Sequence, residues 1–422
     1  MVFDYKSILS ELLDSDWHDE TWMENRKRSD LNHIISTLQR YQEENIVVEM
    51  LKLDIEDSQF AGHINQCMEL ARGLIYMRHL SAVVASKGLF QRLGEKFFDL
   101  PVPVLEAESL VELHLRMFIL KYHERVMWHN LERLRLDCVD FGPSMFKSVV
   151  TSCQRLRSLS LSYVKTNFVK LSHVFPHLED LSIESCPCLE TVQISSGTVR
   201  KIKLRDNYGL REAQFDVPNI VVFEYKGEVM TKLSFTAVSG RWTSRVKLHH
   251  LFNVNTSWFV RLKEFLTRLN KSVVHVDASF GDNVVCNLNE ATKDRAFYEV
   301  NEEVAEFCVS ISAYSALPEA CALAIIDGIF YSCHPRVITT ECNWHWHGIT
   351  KLLHEMLVFR NQPDHSWPRR LKLGKDIELF NSKSSQSMQL DKTLEWKGFL
   401  KGLRAKNGLD LVSVSFNLEW RT

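Results

Sequence analysis

Glycine and proline are scarce in this sequence, at 16 and 10 of 422 residues, below average usages of roughly 7% and 5%. The shortage disfavours long flexible linkers, collagen-like runs and glycine-rich phosphate loops. No GxGxxG, P-loop, HExxH, GxSxG or EF-hand pattern occurs, so the motif-bearing enzyme and ion-binding classes lose their usual signatures. An excess of one charge is also missing: 51 Lys+Arg stand against 53 Asp+Glu, a net charge of −2. That balance argues against bulk electrostatic capture of nucleic acid or an anionic membrane. No apolar run approaches the roughly 20 residues that span a bilayer; the longest candidate, 320–330, is short and contains Asp327. The acidic first twenty residues do not read as a secretory signal. The ten cysteines are scattered without a CxxC pair and are expected to be reduced and buried. Together these absences predict an intracellular protein of nucleus or cytoplasm, without nucleic-acid or membrane partners.

What the sequence has is a repeat. The template L-x-x-L-x-L recurs as Leu110-Leu113-Leu115, Leu131-Leu134-Leu136, Leu156-Leu159-Leu161, Leu178-Leu181-Ile183, Val199-Ile202-Leu204 and Ile220-Phe223-Tyr225. The starts are 21 to 25 residues apart, inside the 20–29 range of leucine-rich repeats. The last two apolar positions of each unit are two residues apart, on one face of a short strand. Stacked repeats would bury that face and pair the strands in parallel. Half-repeats Leu189-Val192-Ile194, Leu210-Ala213-Phe215 and Met230-Leu233-Phe235 predict extended segments on the returning side between about 178 and 236. In the longer step, Met145, Phe146, Val149 and Val150 have helical spacing behind Pro143, predicting a helix over 143–153. The predicted fold is therefore α/β: a leucine-rich-repeat solenoid with a parallel concave sheet and a mixed helical and extended convex side.

Three regions follow: a helical N-terminal segment (1–45), the solenoid (46–247) and a C-terminal continuation and closing region (248–422). Helices are expected around Ile34, Ile35, Leu38 and Tyr41, and over 63–72, 256–269, 316–330, 349–359 and 394–403. Strands are expected over 46–55, 273–276 and 411–420, with irregular repeats at 75–84 and at Leu100-Val102-Val104. Loops are expected over 282–301 and 383–389. The helix at 256 is expected to carry a Thr or Ser cap.

The repeated leucines read as core, so function falls to the residues between them. Those facing the concave surface are Glu112, His114 and Arg116; Arg133, Arg135 and Asp137; Ser158, Ser160 and Ser162; Asp180, Ser182 and Glu184; Lys201, Lys203 and Arg205; and Val222, Glu224 and Lys226. The bland account is a solvated face whose opposite charges pair across strands. The sharper one is a partner-binding surface of mixed charge, centred on Arg133, Arg135, Asp137, Asp180, Glu184, Lys201, Lys203 and Arg205. One cluster, Cys333, His334, Cys342, His345 and His347, holds zinc-ligand residue types. Its spacing matches no zinc-finger pattern, and a strand with Trp344 and Trp346 in the core explains it as well. No metal, cofactor or catalytic set is expected.

The runs LPVPVLEAESLVELHL (100–115), NLERLRLDCVDF (130–141), CQRLRSLSLSYV (153–164), HLEDLSIESCPCLETVQI (177–194) and VPNIVVFEYKGE (217–228) resemble plant F-box/LRR-repeat proteins. ALAIIDGIFYSCHP (322–335) and VSFNLEW (414–420) look like the tail of that family. The resemblance implies a non-enzymatic substrate receptor of a Skp–cullin–F-box ubiquitin ligase, binding a protein substrate on its concave face. The F-box itself is not found in these residues, so a Skp-type adaptor is an expected partner only where upstream sequence supplies one. A second reading is a small-ligand receptor using Trp242, Trp258, Trp344 and Trp346 in a pocket between the solenoid and the C-terminal region.

Overall fold

The computed structural model describes residues 2–4, 20–55, 61–72, 77–84, 97–121, 123, 125–166, 168–172, 175–229, 232–236, 240–269, 271–287, 303–311, 319–342, 348–359, 371–381, 386–390 and 412–420. Over these residues the chain is an α/β protein dominated by parallel strands, with few helices. It divides into two compact units. The first comprises Met1–Leu210, Phe215–Asn219 and Thr236–Val238; the second comprises Arg211–Gln214, Ile220–Phe235 and Ser239–Thr422.

The first unit contains β1 (Val2–Asp4), β2 (Met50–Ile55), β3 (His79–Val84), β4 (Phe98–Asp99), β5 (Glu112–Arg116), β6 (Phe118–Leu120), β7 (Arg133–Asp137), β8 (Asp140–Phe141), β9 (Ser158–Ser162), β10 (Phe168–Ser172), β11 (Asp180–Glu184), β12 (Thr191–Ser195) and β13 (Lys201–Arg205). Its main sheet runs β1-β2-β3-β5-β7-β9-β11-β13, and each pairing is parallel. Register follows the sequence repeat. Leu113, Leu134, Leu159, Leu181 and Ile202 form one row, and Leu115, Leu136, Leu161, Ile183 and Leu204 the next. None of these ten is more than 2% exposed, and each contributes roughly 1.5–3 kcal/mol by burial. On the returning side, β4, β6 and β8 pair in parallel, as do β10 and β12.

Helix α1 (Glu20–Glu43) buries Ile34, Ile35, Leu38 and Tyr41, as the spacing predicted, and Leu31 as well. Helix α2 (Ala61–Arg72) matches the helix expected over 63–72. The segment at 100–104 departs from expectation. Val102–Leu105 is a short helix, α3, rather than a repeat strand. Pro101 and Pro103 explain this, because proline fixes φ near its helical value and has no N–H for a ladder. Trp128, fully buried, donates its indole N–H to the Val104 carbonyl at 2.7 Å and holds this turn. Helix α4 (Pro143–Ser152) starts on Pro143 as expected. Strand β10 was not anticipated, whereas β12, β14 (Glu212–Asp216) and β16 (Lys232–Thr236) occupy the predicted half-repeats.

Each of the five main-sheet strands β5, β7, β9, β11 and β13 ends in the same device. The next residue, Met117, Cys138, Tyr163, Ser185 or Asp206, has φ between 49 and 69°. The left-handed turn keeps its amide in the ladder: Met117, Cys138, Tyr163 and Ser185 donate to the carbonyls of Asp137, Ser162, Glu184 and Arg205 at 2.8–3.2 Å. L-residues pay roughly 1–2 kcal/mol for this conformation and glycine does not. Ser185→Gly is therefore expected to stabilise the first unit by about 1 kcal/mol, and Ser185→Val to destabilise it. Urea midpoints at constant m-value measure both, and a destabilised Gly variant would contradict the strain argument.

The second unit contains β15 (Val222–Gly227), β17 (Trp242–Asn255), β18 (Ser272–Asn287), β19 (Glu303–Ile311), β20 (His334–Cys342), β21 (Leu371–Asn381), β22 (Gln386–Leu390) and β23 (Val412–Trp420). The order is β15-β17-β18-β19-β20-β23-β21-β22. The pairs are parallel as far as β20 and antiparallel beyond it. Helix α5 (Thr256–Arg268) is capped by Asn255, whose side chain accepts from Trp258 N at 3.0 Å, not by Thr256 or Ser257. Its apolar face (Trp258, Phe259, Leu262, Phe265, Leu266) is buried. Helix α6 (Glu319–Ser332) presents a small residue, Gly328, to the fully buried Phe259 ring. Helix α7 (Gly348–Phe359) lies where 349–359 was expected. The expected loops at 282–301 and 383–389 are partly strand, since β18 reaches Asn287 and β22 covers Gln386–Leu390. Residues 288–301 and the helix expected over 394–403 lie outside the described residues.

Candidate partner-binding face

Side chains alternate across a strand, so burying the leucine rows turns the intervening residues of β5 to β13 to the opposite face. In-register pairing arranges them in three rows. The first is Glu112, Arg133, Ser158, Asp180 and Lys201; the second is His114, Arg135, Ser160, Ser182 and Lys203; the third is Arg116, Asp137, Ser162, Glu184 and Arg205. All but Arg116 and Asp137 line a groove of about 520 Å³. Of the eight residues expected to bind a partner, seven (Arg133, Arg135, Asp180, Glu184, Lys201, Lys203 and Arg205) meet there. The eighth, Asp137, is only 7% exposed. Its carboxylate lies 3.5 Å from Arg116 Nε, and its Oδ1 has no hydrogen-bond partner.

The groove is not uniform in charge. Among its ionic side chains, five Lys or Arg stand against three carboxylates. Arg133 donates to Glu112 Oε2 at 2.9 Å, and His79 Nδ1 lies 3.3 Å from the same oxygen. The hydrogen bond from Arg133 lowers the Glu112 carboxyl below its ordinary range, partly opposed by burial. The same bond raises the Arg133 guanidinium. These groups are exposed enough that the pair contributes little to stability; its effect is to hold Arg133 in place. Among the described residues, Arg135, Lys203, Asp180 and Glu184 have no ion-pair partner. Their charges are available to a ligand.

The cysteine–histidine cluster resolves differently. Cys333 is buried and its thiol donates to the Ile329 carbonyl at 3.6 Å. His334 stacks on Trp420, ring centroids 4.0 Å apart. Cys342 ends β20, while Trp344, His345, Trp346 and His347 lie outside the described residues. Among the described residues no group of three His, Cys, Asp or Glu could hold a metal ion. Burial pushes the Cys67 and Cys153 thiols up to about 12 and that of Cys186 to about 11, which leaves them protonated and unreactive. Cys188 is exposed, against expectation. Trp242 and Trp258 are buried: Trp242 packs on Phe223 and Phe235, and Trp258 on Phe259. No helix among the described residues is long and apolar enough to cross a membrane.

One residue that the six-position template overlooks organises the first unit. Asn207, 8% exposed, accepts from Cys186 N and donates to the Ile183 carbonyl, both at 2.9 Å. Cys186 and Asn207 follow the last apolar position of successive repeats by three residues. The longer spacing L-x-x-L-x-L-x-x-N/C would have found both. No protein-family model matches this chain, and no curated protein sequence matches it.

Proposed function

We propose that this chain is a leucine-rich-repeat protein that binds a protein partner through the polar face of β5 to β13. The observation that carries the reading is the groove itself: seven ionic residues from three repeats, Arg133 to Arg205, converge on one surface. Among the described residues, two of the basic side chains (Arg135 and Lys203) and two of the acidic ones (Asp180 and Glu184) there have no ion-pair partner. The repeat reading is supported by the in-register leucine rows and by the Asn207–Cys186 contact at the Asn/Cys position. Concave repeat faces commonly serve recognition. The resemblance to F-box/LRR proteins extends the proposal to substrate recognition for a Skp–cullin–F-box ubiquitin ligase, with docking on the adaptor assigned to an F-box segment. No chemistry is assigned to the groove.

The test is capture of proteins by the immobilised chain. Lys201→Glu with Lys203→Glu places two carboxylates in the groove, which should abolish capture. The matched control, Lys147→Glu with Lys170→Glu, changes the same charge on α4 and β10 and should capture as wild type does. Capture unchanged by the groove variant would sink the assignment.

A further inference from the structure

The polar face has a floor and two walls. Strand β9 contributes only serines, Ser158, Ser160 and Ser162. Strand β7 on one side contributes Arg133 and Arg135, and β11 on the other contributes Asp180 and Glu184. The result is a furrow running along the strand direction, basic on one flank and acidic on the other. The flanking strands lie two spacings apart, about 9.6 Å at roughly 4.8 Å each. That is the gap one extended chain fills. The three serines span about 13 Å along the strand, or some five residues.

We infer that the furrow takes an extended segment of the partner in which acidic and basic residues alternate. Three features select this occupant. Serine hydroxyls both donate and accept, and among the described residues those of Ser158, Ser160 and Ser162 have no hydrogen-bond partner. They can therefore serve the N–H and C=O groups of a peptide backbone whatever its sequence. The side chains of an extended segment point alternately to opposite sides, so one set meets the arginines and the other meets Asp180 and Glu184. The flanks are poised for this: Glu112 orients Arg133 from behind, and among the described residues Arg135, Asp180 and Glu184 have no ion-pair partner. A uniformly acidic or uniformly basic segment would meet one repelling flank, and like-charge juxtaposition disfavours it.

This inference rests on the polar face being the binding surface, and its test separates the two. The probes are the capped peptides EKEKEK and EEEKKK, identical in composition, titrated against the whole protein by fluorescence anisotropy. Alternation should bind at least about ten-fold tighter than the block sequence, a difference of about 1.4 kcal/mol. Arg133→Glu with Arg135→Glu should remove the preference. Adding Asp180→Lys and Glu184→Lys exchanges the flanks and should restore it, since the alternating peptide can lie in either direction. Equal binding of the two peptides, or no restoration in the exchanged variant, overturns the inference. If EKEKEK fails while protein capture still depends on Lys201 and Lys203, the furrow reading falls and the binding face stands.

Discussion

Asn207→Ala is expected to cost the first unit about 3 kcal/mol, because it strands two buried backbone groups at once. Asn207 is the partner of both Cys186 N–H and the Ile183 carbonyl. An unsatisfied buried group costs roughly 1–3 kcal/mol, well above the net worth of the hydrogen bond it loses. Alanine is too short to reach either group. Asn207→Asp should keep the bond from Cys186 N–H but set a carboxylate oxygen against the Ile183 carbonyl, so it should recover little. The urea midpoint should fall with m unchanged. A loss under about 1 kcal/mol would mean that water reaches both backbone groups.

Gly328→Ala should cost the second unit a similar amount for the opposite reason. A Cβ built on Gly328 would sit 2.2 Å from Phe259 Cζ. The Phe259 ring is fully buried, so it has no solvent-side rotamer to retreat into. Overpacking of this kind typically costs 1–3 kcal/mol and occasionally more; about 3 is expected here. The α5–α6 contact is also tied by Ser332 Oγ donating to the Phe259 carbonyl at 3.0 Å, which limits sliding. Phe259→Leu in the Gly328→Ala background should return part of the loss. Gly142→Ala, where a Cβ meets nothing within 4 Å, should change stability little. Full stability in Gly328→Ala would contradict the close approach of α5 and α6.

Strand placement was legible because burial enforces it. A one-residue slip at β5, β7, β9, β11 or β13 would turn two buried leucines or isoleucines to water. The same logic exposed the polar rows, so most of the candidate face could be named from spacing alone. Asp137 escaped because alternation tells which face a residue is on and not whether a neighbour covers it; Arg116 lies across from it. The left-handed turns were invisible for a related reason. Their residues are Met, Cys, Tyr, Ser and Asp rather than glycine, so scarce glycine did not mark them. The α3 turn hid behind a leucine–valine pattern that suits a strand, until Pro101 and Pro103 decided it. Alternation puts Ser158, Ser160 and Ser162 on the polar face, but the expected binding set leaves out these uncharged serines. Their significance came only from the registers that set them between Arg133, Arg135, Asp180 and Glu184.

The central claim is that the polar face of β5 to β13 contacts the partner. Acetylation of surface lysines, followed by mass spectrometry of the chain alone and with its captured protein, tests it most directly. Lys201 and Lys203 line the groove, while Lys147 and Lys170 stand on α4 and β10. The account predicts that the first pair is modified an order of magnitude more slowly in the complex while the second pair is unchanged. Protection of Lys147 and Lys170 with Lys201 and Lys203 still reactive would contradict it.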